Sequence, residues 1–354
     1  MAAFAEGKVV SILEERPGLV RTRVATADGE IDAAGFPDML GPLQPGDRVV
    51  VNVTGIALRL GTGGVGFIVW NLDGKPPSGP GEGHIVKLRY TPWQKEVLVA
   101  EELASPHHDA LARVDSIHGT PVVACSLHSQ VAGVAAGIKA RRAEARVGYL
   151  MTDGAALPLA WSDLVTTLKA ADLVDVTCTT GHAFGGDLES VNVFSGLAAL
   201  KVAGESDFIV VAMGPGVVGT DTVLGFTGME QGQVLDATTA LGGRAIACLR
   251  INFVEARDSH RGVSHHSLTA LRLAARERAT VVVPVLESER EETVLRQLSD
   301  EGIDRRHDIV TADGAEGLAL LSDRGIEPTS MGRTVAEIPE LFLAAAAAGA
   351  VAAR

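Results

Sequence analysis

Apolar and polar positions alternate along the first 72 residues, which is the period-2 pattern of strands with one buried face. Pro-Gly and Asp-Gly pairs separate the alternating runs, and none of the runs has a helical period. The pattern predicts a small all-β, barrel-like domain over residues 1–72. Its predicted strands are Lys8–Leu13, Leu19–Val24, Arg48–Val53 and Phe67–Trp70.

A segment rich in turn-forming residues follows this domain. Eight of the eleven residues at 73–83 are Gly, Pro or Ser, a composition that does not form a packed helix or strand. We expect a linker here. The second predicted domain covers residues 84–354.

Beyond residue 84, strand-like runs that are apolar throughout alternate with helix-like segments. Such runs are typical of strands buried on both faces, and the alternation predicts βαβ units. The fold class is therefore α/β, with a mostly parallel, doubly wound, three-layer sheet. Predicted strands lie near 121–125, 147–151, 174–178, 208–212, 245–248 and 280–284. Predicted helices lie near 130–143, 160–171, 188–203, 228–241, 265–278 and 289–300, with an Ala-rich C-terminal helix at 341–353.

Composition and charge restrict the possible partners. Apolar residues make up 46% of the chain and aromatic residues only 4%, so the core is aliphatic. The net charge of −13 argues against nucleic acids and anionic membranes as partners, but a small anion can still bind a local cluster of donors. Positive mean hydropathy with few aromatics favours a homo-oligomer.

Cysteine usage and the terminal segments indicate a cytoplasmic protein. Cys125, Cys178 and Cys248 form no CxxC pair and lie in apolar runs, which predicts buried free thiols in a reducing compartment. The N-terminal residues lack the pattern of a signal peptide, and the apolar stretch at 341–353 is too short to span a bilayer.

Polar residues and glycines follow nearly every predicted strand of the second domain. Ligands of open parallel sheets bind beyond the carboxyl ends of the strands. We therefore expect these junctions to converge on one small-molecule pocket. Its candidate residues include Ser126 and His128, Asp153, His182, the segment 214–221 and His265.

The segment Gly214-Pro-Gly-Val-Val-Gly219 matches the pattern GxGxxG after a predicted strand. Pro215 removes one N–H donor, and the following strand does not end in the acid that would bind a ribose, so a different anion or a tight turn fits better than a dinucleotide. The candidate ligand-binding residues are Gly214, Gly216, Gly219, Thr220, Asp221 and Ser126. A second match, Gly61–Gly66, is interpreted as a hairpin turn because strands flank it on both sides.

The segment 181–189 offers an imidazole and two carboxylates. His182 and Asp187 are candidates for acid–base catalysis or, together with His265, for binding a divalent metal. An alternative is that Asp187 caps the following helix and that Glu189 belongs to its first turn. His128 and Asp153 are further catalytic candidates, for which a structural histidine and a simple turn are the alternatives.

The segment Ser264-His265-His266 opens a predicted helix, which Ser264 is expected to cap. Adjacent helical residues are about 100° apart around the axis, so we expect only one of the two histidines to face a ligand. The motifs GxSxG, Walker A, HExxH and CxxC are all absent from the sequence.

Five segments of the chain resemble a bacterial family known as domain of unknown function 3866. They are Leu88–Pro92, Met151–Gly154, Gly181–Asp187, Met213–Gly216 with Gly225–Gly228, and Gly262–His266. The resemblance implies no activity, so the functional hypotheses depend on the residues alone.

Three hypotheses remain open. The first is an enzyme, a hydrolase or group transferase, that acts on a small polar or anionic metabolite. The second is a non-catalytic, oligomeric metabolite-binding or sensor protein. The third is a dinucleotide-dependent oxidoreductase.

Overall fold

A computed structural model describes residues 2–61, 64–75, 77, 79 and 81–354. Its internal contacts divide the chain into two units, of which the first comprises Met1–Glu82 and Leu88–Glu96 and the second Gly83–Lys87 and Val97–Arg354. Residues 76, 78 and 80 of the predicted linker lie outside the described residues. The linker at 73–83 and the domain ranges therefore stay predictions.

The first unit contains a closed five-stranded barrel, as the alternating pattern predicts. Its elements are β1 (Phe4–Arg16), β2 (Leu19–Thr26), β3 (Gly29–Gly35), α1 (Pro37–Leu40), β4 (Arg48–Asn52), α2 (Thr54–Ala57) and β5 (Gly66–Asn71). The strand order is β1-β2-β3-β5-β4. Inward-facing aliphatic residues on alternate positions, including Val9, Val24, Val49 and Ile68, form its core.

Two details of this unit differ from the prediction. The pattern missed β3, whose sequence Gly-Glu-Ile-Asp-Ala-Ala-Gly contains few residues that favour strands. β3 nevertheless closes the barrel through parallel pairing with β5. β4 and β5 are antiparallel neighbours, but α2 lies between them in the chain, so the connection is longer than a tight hairpin. Thr62 and Gly63 of the predicted hairpin turn lie outside the described residues.

The remaining elements alternate between strands and helices. In chain order they are β6 (Ile85–Lys87), β7 (Lys95–Val97), α3 (His108–Leu111), β8 (Pro121–Ala124), α4 (Gln130–Arg141), β9 (Val147–Thr152), α5 (Asp163–Ala170), β10 (Val176–Thr179), β11 (Leu188–Glu189), α6 (Val193–Val202), β12 (Phe208–Met213), α7 (Glu230–Ala240), β13 (Arg244–Cys248), β14 (Ile251–Asn252), β15 (Gly262–Val263), α8 (His265–Thr269), β16 (Thr280–Pro284), α9 (Ser288–Asp300), β17 (Asp308–Ala312), α10 (Ala315–Asp323) and α11 (Pro339–Ala352). Short 3₁₀ turns lie at Leu159–Trp161, Thr227–Met229 and Asp258–His260, and a π-helical turn at Ala270–Ala274 extends α8.

A parallel eight-stranded sheet forms the centre of the second unit. Its order is β11-β10-β9-β12-β8-β13-β16-β17, and every pairing is parallel. All six strands predicted in this region are present. The two edge strands, β11 and β17, were not predicted, because the first has two residues and the second alternates between polar and apolar positions.

Helices cover both faces of the sheet and form the three predicted layers. Alternate residues along β8 and just after it show this. Val122 and Ala124 belong to the core beneath α6 and α7, whereas Val123 and the following Cys125 belong to the core beneath α4 and α5. The Ala-rich helix α11 is buried along nearly its whole length, as predicted. The three cysteines are buried and unpaired. Within the described residues, no helix combines the length and apolarity that crossing a membrane requires.

The winding direction of the chain reverses between β8 and β12. From β8 the chain passes through α4 to β9, which lies nearer the β11 edge of the sheet. From β12 it passes through α7 to β13, which lies nearer the β17 edge. Such a reversal leaves a crevice outside the carboxyl ends of the two strands, where ligands of doubly wound sheets bind. The fold therefore places the loops after β8 and β12 at the position expected for a site.

The start of α6 corrects one prediction. The helix begins at Val193 rather than near 188, and Asn192 caps it through a reciprocal pair of hydrogen bonds with Ser195. Asp187 therefore does not cap this helix, and Glu189 lies in β11 rather than in the first helical turn. The two-residue edge strand takes up the residues that the helical pattern assigned to α6.

Candidate functional site

Three histidines from the connection after β13 form a cluster. His260, His265 and His266 each offer a ring nitrogen, and these atoms all lie within 4.8 Å of one another. The ring centroids are 4.3–4.8 Å apart. His260 and His266 are 3% and 8% exposed, whereas His265 is partly exposed. Within the described ranges, no other group of three or more His, Cys, Asp or Glu side chains is close enough to share a metal ion.

We expected only one of the two adjacent histidines to face a ligand, but both bring a ring nitrogen to the cluster. His265 and His266 occupy the first two positions of α8, where no preceding helical turn restricts their side chains. Both rings therefore fold towards His260. The prediction that Ser264 caps α8 is confirmed, because its Oγ accepts a hydrogen bond from the N–H of His266 at 3.3 Å. The same Oγ lies 2.7 Å from Nδ1 of His260.

The loop that follows β12, residues 214–229, packs against this cluster and is called the glycine loop below. The Phe226 ring stacks on His266, with a centroid distance of 4.0 Å and an interplanar angle of 8°. Gly219, which pairs with Phe226 in an isolated bridge, lies so close to His266 that a Cβ would stand 3.3 Å from its Cε1 atom. The loop thus fixes the position of one ring by stacking and close approach.

The histidines of the cluster are neutral at physiological pH. Burial, and then the positive charge of Arg250, lower the pKa of His260 to about 4 and the pKa of His266 to about 3. The same two causes lower the pKa of His265. Neutral imidazoles can bind a metal ion or donate and accept single protons.

Arg250, two residues beyond β13, is a buried cation beside the cluster. It is 6% exposed, its Nη1 donates to Nδ1 of His266 at 3.2 Å, and its Nη2 contacts Sδ of Met331 at 3.9 Å. Of the carboxylates that the structure describes, none forms an ion pair with it. Burial lowers the pKa of its guanidinium, and the nearby Arg257 lowers it further.

The acidic residues near Arg250 pair with other arginines instead. Glu255 lies 3.3 Å from Nε of Arg257 and 3.9 Å from Nη1 of Arg333. Asp221, a predicted ligand-binding residue, lies 3.4 Å from Nη1 of Arg257. Among the described residues, the positive charge of Arg250 therefore has no direct counter-ion, and Glu255 attracts it only from a distance.

The other predicted residues of the glycine loop have mixed roles. Gly214 is required by packing, because a Cβ there would stand 2.3 Å from the carbonyl oxygen of Ala156. Gly216 has a φ of +107°. The Thr220 hydroxyl donates to the carbonyl oxygen of Gly225, within the loop itself. The loop leads into a helix that begins with Glu230, an unfavourable neighbour for a pyrophosphate.

Glu230 forms a second polar group at the carboxyl edge, with the ends of β9 and β10. Its Oε1 accepts a hydrogen bond from the Thr152 hydroxyl at 2.6 Å. Burial raises the pKa of Glu230 to about 7, and the negative charge of Asp153 adds to the effect. Asp153 also accepts a hydrogen bond from the backbone N–H of His182 at 2.9 Å. The structure therefore places Asp153 near the Glu230 carboxyl group and joins Asp153 to the backbone of His182.

A cleft of about 510 Å³ lies next to the glycine loop. It is bordered by 127–129, by α5, by Pro215–Val217 and by 325–331, so it includes His128 and Gly216 of the predicted set. Met331 belongs both to this cleft and to the surroundings of Arg250.

His128 itself holds several elements together. Its Nδ1 lies 3.1 Å from the Tyr149 hydroxyl and from the carbonyl oxygen of Met213, and its Nε2 lies 2.7 Å from Oγ of Ser162. Ser162 caps α5 and is buried. Burial lowers the pKa of His128 to about 4, so the ring is neutral near pH 7. Its catalytic role stays a prediction.

Two predicted residues do not join these groups. Ser126 is buried, and its N–H and hydroxyl both donate to Oε1 of Gln130, at 3.1 and 3.4 Å. The Asp187 carboxylate accepts hydrogen bonds from the N–H and hydroxyl of Thr177 and from Nζ of Lys169, beside the start of β10. The predicted metal set of His182, Asp187 and His265 is not among the groups that come together in the described residues.

The sequence contains only partial evidence for the histidine cluster, Arg250 and Glu230. His260 and His266 stand in the same short segment as His265, and Arg250 follows a predicted strand, but nothing in the sequence shows that Arg250 lacks a counter-ion. Glu230 was missed, because an acid at the start of a helix is a common pattern and its burial depends on the tertiary fold.

Comparison with known proteins identifies the family but no function. A search of curated proteins found no match. A family model described as "Protein of unknown function (DUF3866)" matches residues 32–349, which is nearly the whole chain, and confirms the resemblance of the five segments. The chain therefore belongs to the DUF3866 family.

Proposed function

We propose that this protein is a hydrolase or group transferase that acts on a small anionic metabolite and that Arg250 binds the anionic group. The observation that carries the proposal is the burial of Arg250 without a carboxylate partner among the described residues. An uncompensated buried charge costs several kcal/mol, about 3–5 when a pair is broken. A bound anion would offset that cost.

The chemistry of Arg250 indicates the ligand class. A guanidinium offers a planar set of donors that matches a carboxylate or a phosphate, and its charge does not depend on pH near neutrality. The protein as a whole carries a charge of −13, so an anion needs such a local positive centre. Arg250 also lies beyond a strand end, near the switch point where ligands of this fold class bind.

Glu230 is our candidate for proton transfer. A carboxyl group with a pKa of about 7 is present in both protonation states near neutral pH, which suits general acid–base catalysis. The Asp153 carboxylate is near enough to raise the pKa of Glu230, and it accepts a hydrogen bond from the backbone N–H of His182. Many hydrolases and group transferases use such a proton donor and acceptor.

The dinucleotide hypothesis is weaker. Pro215 lacks an N–H donor, and the helix after the glycine loop carries the Glu230 carboxyl group in its first turn, where a pyrophosphate would have to bind. A homo-oligomeric state, a cytoplasmic location and the absence of nucleic-acid partners stay predictions from composition and charge.

Anion binding can be measured by thermal unfolding with inorganic phosphate, pyrophosphate or malonate. We expect at least one of them to raise the melting temperature in a concentration-dependent way. Arg250→Met should abolish the increase, whereas the exposed control Arg305→Met should retain it. Equal stabilisation of Arg250→Met and wild type by each anion would contradict the proposal.

Catalysis requires a separate measurement. Phosphate monoesters, carboxylic esters and amides that carry an anionic group can be screened for turnover by mass spectrometry. For any substrate found, Glu230→Gln should lower kcat by about 100-fold. Arg250-dependent stabilisation without turnover of any compound would favour the alternative of a non-catalytic metabolite-binding protein.

A further inference from the structure

We infer that His260, His265 and His266 bind one divalent transition-metal ion of the zinc type. The inference goes beyond the proposed function, since it does not require Arg250 to bind an anion. Imidazole nitrogen is a preferred ligand of zinc, copper and nickel ions. Three histidines leave a fourth position open, which is typical of catalytic rather than structural zinc sites.

The spacing of the cluster is close to that of a metal site. In a tetrahedral zinc site with Zn–N bonds of about 2.0–2.1 Å, the ligand nitrogens are about 3.4 Å apart. The three nitrogens here lie within 4.8 Å. The widest separation therefore has to shorten by about 1.4 Å, the difference between 4.8 and 3.4 Å. His265 is partly exposed, so its ring has room to turn.

Neighbouring residues already orient two of the three rings. The Ser264 hydroxyl lies 2.7 Å from Nδ1 of His260, which leaves Nε2 of that ring for the metal. Phe226 stacks on His266 and restricts its rotation. Partners of this kind fix the orientation of metal-binding histidines, and their loss typically lowers metal affinity by about 10- to 100-fold.

Arg250 competes with the metal for His266. A guanidinium can only donate, so Nδ1 of His266 accepts its hydrogen bond and Nε2 carries the proton. A metal ion that binds Nδ1 of His266 takes the place of the Arg250 donor. A metal ion that binds Nε2 shifts the ring proton to Nδ1, which can then no longer accept a hydrogen bond from Arg250. Either mode breaks the Arg250–His266 bond. Metal binding thus releases the guanidinium, which is then free for an anion beside the open metal position.

Metal content is the first test. The full-length protein, stripped with a chelator, is titrated with Co²⁺ and with Zn²⁺, and bound metal is measured by elemental analysis after gel filtration. We expect one ion per chain and the visible absorption bands of tetrahedral Co²⁺. His260→Gln and His266→Gln should each weaken binding by more than about 100-fold, since loss of a ligand costs more than loss of a residue that only orients one. The exposed control His118→Gln and the separate His182→Gln should both bind like wild type.

Arg250→Met tests the inference without removing any of the three histidines that would coordinate the metal. Removal of the competing donor and of its positive charge should raise the affinity for Co²⁺ by about tenfold or more, since like charges at this distance repel strongly. Absence of stoichiometric metal, or binding that survives both His260→Gln and His266→Gln, would overturn the inference. The proposed function fails on a different readout, which is the Arg250-dependent stabilisation by phosphate, pyrophosphate or malonate.

Discussion

At the scale of single residues, the carboxyl edge of the sheet contains buried ionisable side chains whose burial lowers the stability of the fold. Arg250 is buried beside neutral histidines, and Glu230 is buried near a second carboxylate. Such environments cost stability, and they are typical of sites where a ligand or a reaction compensates the cost. The hydrogen bonds of Ser126, Asp187 and His128, in contrast, are saturated by the fold.

Glu230 gives a prediction about stability and pH. Its pKa is about 7 in the folded protein, above the ordinary value of 4.5, so the folded state binds its proton more tightly than the unfolded state. This contribution to stability is complete below about pH 4.5 and is lost as the pH rises through about 7. Relative to Glu230→Gln, the wild type should lose roughly 2 kcal/mol of unfolding free energy between about pH 5 and pH 8.

Urea unfolding of both proteins at each pH measures this difference. The comparison with Glu230→Gln is necessary, because histidines with lowered pKa values, such as His128, change stability in the opposite direction: they favour folding as the pH rises. A difference between the two proteins that stays constant with pH would show that Glu230 ionises normally.

At the residue scale, position along a strand was sufficient to predict that Asp153 and His182 lie close together, while their roles in a site stay predictions. Asp153 and His182 were chosen because each follows a predicted strand, and parallel strands bring their carboxyl ends to one edge. The same reasoning failed for Ser126, which the nearby Gln130 binds. The expectation for the adjacent histidines used the regular angle between helical residues, which does not restrict side chains at a helix start.

At the scale of elements, the seam between α4 and α11 depends on glycine. A Cβ on Gly137 would stand 2.1 Å from the carbonyl oxygen of Ala346, and a Cβ on Gly349 equally close to that of Val134. The two helix backbones are therefore in direct contact. This explains why a helix made almost entirely of alanine is buried: small side chains on both helices permit the approach.

Gly137→Ala should reverse the usual effect of this substitution. In an exposed helix, replacing Gly by Ala gains about 1 kcal/mol. Here the helices must separate, so we expect a loss of about 2 kcal/mol or more in the free energy of unfolding, measured by urea denaturation. The matched control Ala140→Gly, on the exposed side of α4, should lose about 1 kcal/mol. A more stable Gly137→Ala protein would contradict the close contact.

Elements with a strong pattern were predicted well, and those whose position depends on their neighbours were not. The buried strands of the sheet are apolar throughout and lie within two residues of their predicted bounds. β3, β11, β17 and α10 were missed. Edge strands are short or half polar, and β3 is held by pairing on both sides rather than by its own propensity.

At the scale of the whole molecule, each unit has its own hydrophobic core. The barrel core consists of residues from the first unit, and the two cores that flank the large sheet consist of residues from the second. Lys87 is assigned to the second unit, although residues 88–96 belong to the first. Its ammonium group is fully buried and donates to Glu189 at 2.5 Å, and to the carbonyl oxygens of Thr179 and Ala183.

A stable fragment of the second unit must therefore include Lys87. A fragment Gly83–Arg354 retains this lysine and should unfold in one cooperative transition, whereas Val97–Arg354 leaves Glu189 and two carbonyl groups without their donor. Breaking a buried ion pair costs about 3–5 kcal/mol, so Lys87→Met within the longer fragment should lose a similar amount in urea unfolding. The surface pair of Lys169 and Asp187 is the control, and Lys169→Met should lose less than about 1 kcal/mol. Equal losses for the two variants would mean that Lys87 contributes no more than a surface residue and that the second unit does not depend on the segment 83–87.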